Sequence, residues 1–257
     1  MNHAAVAEAG REYLAYLRRL GNPVDRDAMR QYHKVAREYL GIRAGTLTSQ
    51  AETWSVGRSE SEILGVADYL WSSNVFEAML SAGRLLELKR LTNPIAIWTR
   101  LDRYKEALDS WAVSDVFAHV AFRVLAACPA YLDEMEKNWL THPCFWVRRV
   151  CLVYTLYTVK PPHSPERSLS WAARIVDERE WFIQKAIGWY LRELSKHDPA
   201  PVRRFLDQYG ARMKPFAVRE GSKYLEKGWP HGKNGRNNAA EVPMPSPIVR
   251  TRQDSGG

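Results

Sequence analysis

Three segments of this chain carry groups that could act on a polyanion built of sugars and bases. Over Trp181 to Leu194 the spacing predicts one amphipathic helix, with Gln184, Lys185, Trp189 and Arg192 three to five residues apart, close enough to share a stripe. Indole, guanidinium and ammonium groups together suit a ligand that offers phosphates and flat apolar faces. Gly188, inside the same helix, costs about 1 kcal/mol of helix propensity relative to alanine. That cost implies close approach of another backbone or of a ligand. In Ser110 to Val116, Trp111 and Asp115 are four apart and face the same way on a helix. In Phe145 to Val150, Arg148 and Arg149 sit among aromatic and aliphatic residues, so at least one guanidinium emerges beside apolar surface as a phosphate fork. Each group also has an ordinary use: tryptophans at helical spacing are commonly core, and cations commonly lie on solvated faces.

The elements that must position these groups read as helices. Apolar residues recur at three and four, and no run alternates with period two for long. Asn22-Pro23 is expected to open a helix that Leu40-Gly41 ends, Ser59-x-x-Glu62 has the form of a capping box, and Asn93-Pro94 opens another segment. Pro129, Thr141-His142-Pro143, Pro161-Pro162, Ser164-Pro165, Asp198-Pro199 and Lys214-Pro215 divide the rest into helices of roughly 10 to 18 residues. Short links imply antiparallel neighbours, and the spacing of Pro129, Pro165 and Pro199 is near the size of a HEAT-type unit. The expected fold is therefore all-α, a HEAT-like α-solenoid of antiparallel helix pairs with a concave basic face, spanning residues 1–227 as one domain. From about Gly228 the composition turns to Gly, Asn, Pro and Ser, and residues 228–257 are expected to form a flexible tail.

At 257 residues the chain can bury a substantial core. It has no run of about 18 apolar residues, so no membrane span is expected. The start, Met1 to Glu8, lacks a basic n-region and does not read as a signal peptide. Three cysteines without a CxxC pair argue against a secreted disulfide framework, and Cys144 and Cys151, on one predicted helix, read as core thiols. A cytoplasmic, nucleoid-associated monomer is expected. The net charge of +8 and pI near 9.4 favour nucleic acid or acidic surfaces as partners. The cations crowd the second half of the chain, from Arg148 to Arg219. No histidine pattern such as HExxH stands out, so neither a metal nor another cofactor is expected.

Read together, the three segments resemble the AlkD-like DNA alkylation repair family, the HEAT-repeat alkylpurine DNA glycosylases. The likeness is closest in IQKAIGWYLRE, Ile183 to Glu193. WxxxD (Trp111, Asp115) and WxxR (Trp146, Arg149) follow the family order and spacing, and Tyr32, ahead of Leu40-Gly41-Ile42, fits a tyrosine on an early helix. The likeness runs from about residue 25 to residue 226. It implies that Trp111 and Trp189 line a cleft against the deoxyribose and backbone of a damaged nucleotide, with Asp115 as the essential carboxylate. Arg149, or Arg148 in the alternative register, would hold the DNA backbone, with Lys185, Arg192 and Tyr32 as further DNA contacts. The implied substrate is duplex DNA carrying N3- or N7-alkylated purines, held without base extrusion so that bulky adducts are accommodated. The chain departs from the family pattern at three places. Gly41-Ile42-Arg43 continues into Ala44-Gly45-Thr46 without the usual proline and arginine, Ala112 replaces an acid, and Ser110 stands where a second indole is usual.

Two other classes stay open on the residues alone: a non-catalytic DNA-binding paralogue, and a helical-repeat scaffold for an acidic protein. Self-resistance, the removal of a producer's own bulky adducts, would be a sub-case of the glycosylase.

Overall fold

Helix boundaries follow the polar and proline punctuation. Asn22 caps the Val24 and Asp25 amides, Ser59 the Glu62 amide, Asn93 the Ala96 amide and Asp198 the Ala200 amide, each just ahead of a helix. The computed structural model describes residues 3–225, which form thirteen α-helices and no strand. They are α1 (His3–Leu20), α2 (Pro23–His33), α3 (Ala44–Trp54), α4 (Glu60–Trp71), α5 (Phe76–Leu86), α6 (Pro94–Tyr104), α7 (Trp111–Ala127), α8 (Tyr131–Glu134), α9 (Phe145–Tyr154), α10 (Glu166–Arg174), α11 (Trp181–Ser195), α12 (Pro199–Tyr209) and α13 (Pro215–Gly221). A π-helical turn, Met135–Trp139, extends α8, and a 3-10 turn, Thr155–Thr158, extends α9. The tail expected at 228–257 lies outside the described residues.

Packing sorts the helices into two layers. In one, α3, α5, α7, α9, α11 and α13 lie side by side in that order. In the other, α4 backs α5, α6 backs α7, α10 backs α9 and α12 backs α11, with α1 against α4. This is the stacked all-α arrangement expected of a solenoid. The core runs between the layers, from Tyr13 and Leu17 through Phe76, Phe117 and Val150 to Ile187 and Phe205. All three segments singled out from sequence fall in the first layer, on α7, α9 and α11.

One expected boundary is wrong. The helix opened by Asn22-Pro23 ends at His33 rather than Leu40, because Lys34 turns left-handed (φ 56°) and its amide closes on the Arg30 carbonyl. The chain then runs extended past α5, bridging Glu38 to Val75. The buried Glu77 carboxylate accepts the Leu40, Gly41 and Ile42 amides at 2.9, 2.6 and 3.3 Å, which satisfies donors that a helix would have paired internally. Gly41 takes φ 82°, and a Cβ there would meet the Asn22 carbonyl at 2.1 Å, so only glycine fits. Arg37 fastens the same stretch to the entry of α7, donating to Asp109 at 2.6 Å, to Asn74 at 2.6 Å and to the Ala107 carbonyl at 3.2 Å.

Gly188 receives a backbone rather than a ligand: a Cβ at this position would lie 2.8 Å from the Ala217 carbonyl oxygen of α13. Gly188→Ala gains about 1 kcal/mol of helix propensity and incurs about 1–3 kcal/mol of overpacking. The expected net effect is a loss of stability, seen as a lower urea midpoint with an unchanged m-value; a rise in the midpoint would show that α13 moves aside freely.

Candidate active site

The first turn of α7 is set by Ser110, whose hydroxyl accepts the Val113 amide at 3.4 Å and whose carbonyl accepts the Ser114 hydroxyl at 2.9 Å. A cap at this position needs a short oxygen-bearing side chain, which accounts physically for serine here. Val113, Phe117, Ala118, Val120 and Ala121 bury one side of the helix. The opposite stripe, which keeps some exposure, carries Trp111, Asp115, His119 and Phe122, one turn apart in succession.

Asp115 is held from below. Arg149 of α9 donates from Nε to Oδ1 at 2.9 Å and from Nη2 to Oδ2 at 3.0 Å, a two-pronged fork on the carboxylate. Its remaining amine, Nη1, donates to the Phe182 carbonyl at the start of α11 at 2.8 Å. The guanidinium also lies 5.9 Å from the centroid of the Phe182 ring. Arg149 has no exposed surface, while the Asp115 side chain keeps 20% of its own. Burial raises the Asp115 carboxyl above the ordinary aspartate range, and the charge and hydrogen bonds of Arg149 oppose that rise. With N–H donors on both oxygens, the contact geometry is that of the ionised form.

In this structure Arg149 has no accessible surface and donates to Asp115 and to the Phe182 carbonyl, so it fixes the carboxylate. Arg148, the other candidate, is also engaged within the protein. Arg148 forks the Glu178 carboxylate at 2.7 Å through both Nε and Nη2, and its Nη1 donates to the carbonyls of His142 and Pro143. It ties α9 to the loop before α11.

The stripe expected on α11 also divides. Arg192 pairs with Glu220 of α13 and with Glu193, and Lys185 lies 3.7 Å from Glu220, so both cations face α13. Gln184 is buried, donating to the Val176 and Glu178 carbonyls and accepting the Lys214 amide at 2.7 Å. Trp189 points elsewhere. It is 6% exposed, stands outside the contiguous apolar core, and its indole N–H is buried without a protein acceptor.

Trp111 sits in an aromatic cluster. Tyr32 meets its ring edge-on at 5.9 Å, and His33 lies nearly parallel to it at 5.2 Å. Phe76 and Tyr39 also neighbour the His33 ring, at 4.5 and 6.4 Å. The structure thus brings Tyr32, Trp111, Asp115 and Arg149 into one region and sends Arg148, Lys185 and Arg192 to other contacts. His33 and His119 were not among the residues singled out from sequence. His119 was within reach of the reasoning that paired Trp111 with Asp115, since it is the next turn of the same stripe. Nothing local marks His33, whose role depends on Trp111 far along the chain. Cys144 proves to be the N-cap position of α9, partly exposed, while Cys151 is buried. A cleft of about 440 Å³ lined by Tyr13, Tyr16, Trp54 and Arg58, among others, contains none of the site groups. No helix among the described residues is long and apolar enough to cross a membrane.

Two outcomes follow from these contacts. Arg149→Ala leaves Asp115 without its partner, and breaking a buried pair in this way typically costs about 3–5 kcal/mol. Denaturant unfolding should therefore show a large loss for Arg149→Ala, and a loss below about 1 kcal/mol, the range of surface pairs, would contradict the burial. Burial also lowers His33 from its ordinary 6.5 to about 4. The native state therefore keeps this imidazole neutral while the unfolded chain takes up a proton, so the stability it contributes is present above pH 6.5 and lost as pH falls through about 4. His33→Phe should flatten the fall of Tm over that window; an unchanged slope would assign the acid sensitivity to other groups.

Comparison with known proteins gives the family. The family model described as "DNA alkylation repair enzyme" matches residues 13–225. Among solved structures, a predicted DNA alkylation repair enzyme from Enterococcus faecalis is similar with a TM-score of 0.65 and 24% identity, over 81% of this chain and 98% of that one. AlkD2 from Streptococcus mutans is similar with a TM-score of 0.59 and 18% identity, over 72% of this chain and 91% of that one. At such identities the structural likeness is one of fold. A search of curated proteins finds no match. The family model spans the helices that carry Tyr32, Trp111, Asp115 and Arg149, and the chain belongs to the DNA alkylation repair enzyme family.

Proposed function

We propose that this protein is an alkylpurine DNA glycosylase, hydrolysing the N-glycosidic bond of N3- or N7-alkylated, cationic purines in duplex DNA. The observation that carries this reading is a carboxylate at the exposed edge of α7, beside an indole and clamped by a wholly buried arginine. Alkylation at N3 or N7 makes the purine a cationic leaving group, and as the bond lengthens the deoxyribose takes on oxocarbenium character. A carboxylate and an indole face both favour that developing positive charge over the neutral ground state, which is the differential stabilisation catalysis requires. Because Arg149 fixes Asp115 in advance, little reorganisation is needed as the charge develops.

In this reading Trp111 and Trp189 lie against the sugar and backbone of the damaged nucleotide, and Tyr32 extends the Trp111 wall toward the DNA. The unsatisfied indole N–H of Trp189 is a buried donor suited to a sugar or phosphate oxygen. Attack at the sugar, with the lesion kept in the duplex, makes few demands on the size of the alkyl group, so bulky adducts fall within the proposed range.

The test is release of N7-methylguanine and N3-methyladenine from methylated duplex DNA. Asp115→Asn should slow release by about 10²–10³-fold, with DNA affinity nearly unchanged. Asp115→Glu, which keeps the charge for Arg149 but displaces it, should also lose rate while keeping the fold. Wild-type rates in both variants would remove Asp115 from the chemistry. Binding by the wild type without release of either base, or of a bulky adduct, would favour the non-catalytic paralogue.

A further inference from the structure

The seam between α11 and α13 holds an anion of the chain's own among the cations of α11. Glu220 stands over Gly188: a Cβ on that glycine would lie 3.1 Å from the Glu220 Cβ, so the missing side chain makes room for this glutamate as well as for the α13 backbone. From there Glu220 reaches a cation on each side of Gly188. Its Oε2 lies 3.7 Å from Lys185 Nζ, three residues before, and its Oε1 accepts from Arg192 Nη1, four residues after. Glu193 steadies Arg192 from the other side, accepting its Nε at 3.0 Å and lying 2.9 Å from Nη2. Lys196, one turn on, also goes to Glu193, at 2.7 Å.

These contacts are of the exchangeable kind. The side chains of Lys185, Arg192 and Glu220 keep 20, 24 and 18% of their surface, so water and ions reach all three. At 3.7 Å Lys185 is held by charge alone, outside hydrogen-bond range. A carboxylate gripped by a guanidinium and an ammonium occupies the place that a phosphate takes between the same two groups. Lys185 and Arg192 stand four residues before and three after Trp189, the spacings of helix-surface neighbours. A strand laid against that indole therefore brings its phosphates to this seam.

Taking duplex DNA as the ligand, as the proposed function does, we propose that Glu220 is an internal competitor for the DNA backbone. In the free protein it holds Lys185 and Arg192; on binding, a backbone phosphate displaces it and takes both cations, and the carboxylate turns to solvent. Without Glu220, the three cations Lys185, Arg192 and Lys196 would be offset by Glu193 alone, and the edge of α11 would hold any duplex more tightly. The competition weakens damaged and undamaged DNA alike, which leaves recognition of the lesion to the groups around Asp115.

The experiment is anisotropy titration of an undamaged, labelled duplex with the full chain over a series of salt concentrations. Glu220→Gln keeps the shape and an amide oxygen for Arg192, and it should bind about 5-fold more tightly than wild type. Its salt slope should be unchanged, because the same phosphate contacts form in both proteins. Lys185→Gln and Arg192→Gln should each bind more weakly, with a slope shallower by about 0.9. Asp207→Asn, at an exposed acid of α12 in the other layer, controls for net charge and should leave affinity nearly unchanged. No gain in Glu220→Gln, or an equal gain in Asp207→Asn, would overturn the proposal. A steeper slope in Glu220→Gln would do so too, since the cations would then have stayed on Glu220 in the wild-type complex. Unchanged slopes in both cation variants would make the seam purely structural. The assay needs no base release, so a chain that answers in the expected way but frees no base keeps this assignment and loses the glycosylase reading. Base release without these shifts does the reverse, and a chain that binds no duplex, with or without Glu220, overturns the competitor outright.

Discussion

Arg149 is the constraint on which the site depends, because a guanidinium without accessible surface cannot remain unpaired. It sits on α9, forks Asp115 on α7 and donates to the Phe182 carbonyl that begins α11, so one side chain sets the relation of three neighbouring helices. Replacing such a pair by well-packed apolar residues is often neutral or stabilising. Stability is therefore a weak reason for having it. What an apolar substitute could not provide is a charged carboxylate at a defined position on the partly exposed edge of the layer, already oriented before any substrate arrives.

The same kind of polar link recurs throughout the solenoid at a nearly constant distance in sequence. Arg100 reaches Asp68 across 32 residues, Trp139 reaches Asp102 across 37, Arg149 reaches Asp115 across 34, Arg167 reaches Asp133 across 34, and Arg212 reaches Asp177 across 35. A stack of similar units contacts only its neighbours, so a bond from one unit to the next must span about one repeat. Most of these links lie on or near the surface, where such pairs contribute little. The Asp115 link differs in its burial, joining an arginine without accessible surface to a carboxylate that keeps 20% of its own.

That repeat was only half legible in the sequence. The spacing of Pro129, Pro165 and Pro199 showed its length, while the links between units pair residues that no local pattern connects. The same limit explains α11. Helical spacing put Lys185, Trp189 and Arg192 near one another, but whether that surface meets solvent, DNA or another helix is decided by Glu220, some thirty residues on. Trp111 and Asp115 were readable because both their shared face and their resemblance to a known motif lie within five residues. The end of α2 was misplaced for the opposite reason. Glu77, far along the chain, takes the amides of Leu40 to Ile42 and makes an extended path favourable where spacing allowed helix.

The departures from the family pattern have physical counterparts beside the site. With Ser110 capping α7 in place of a second indole, the aromatic partners of Trp111 come from another element: His33 lies nearly parallel to its ring and Tyr32 meets its edge. Both belong to the last turn of α2, and the loop that follows is tied to the entry of α7 through Arg37 and Asp109. The indole's position thus depends on the early helix as well as on its own. In the proposed reaction a neutral, half-buried imidazole is a suitable partner there, since a cation against the indole would compete with the positive charge proposed to develop on the sugar. The burial that keeps His33 uncharged therefore serves the same electrostatic end as the fork that keeps Asp115 charged: one withholds positive charge from the stripe of α7, and the other fixes negative charge upon it.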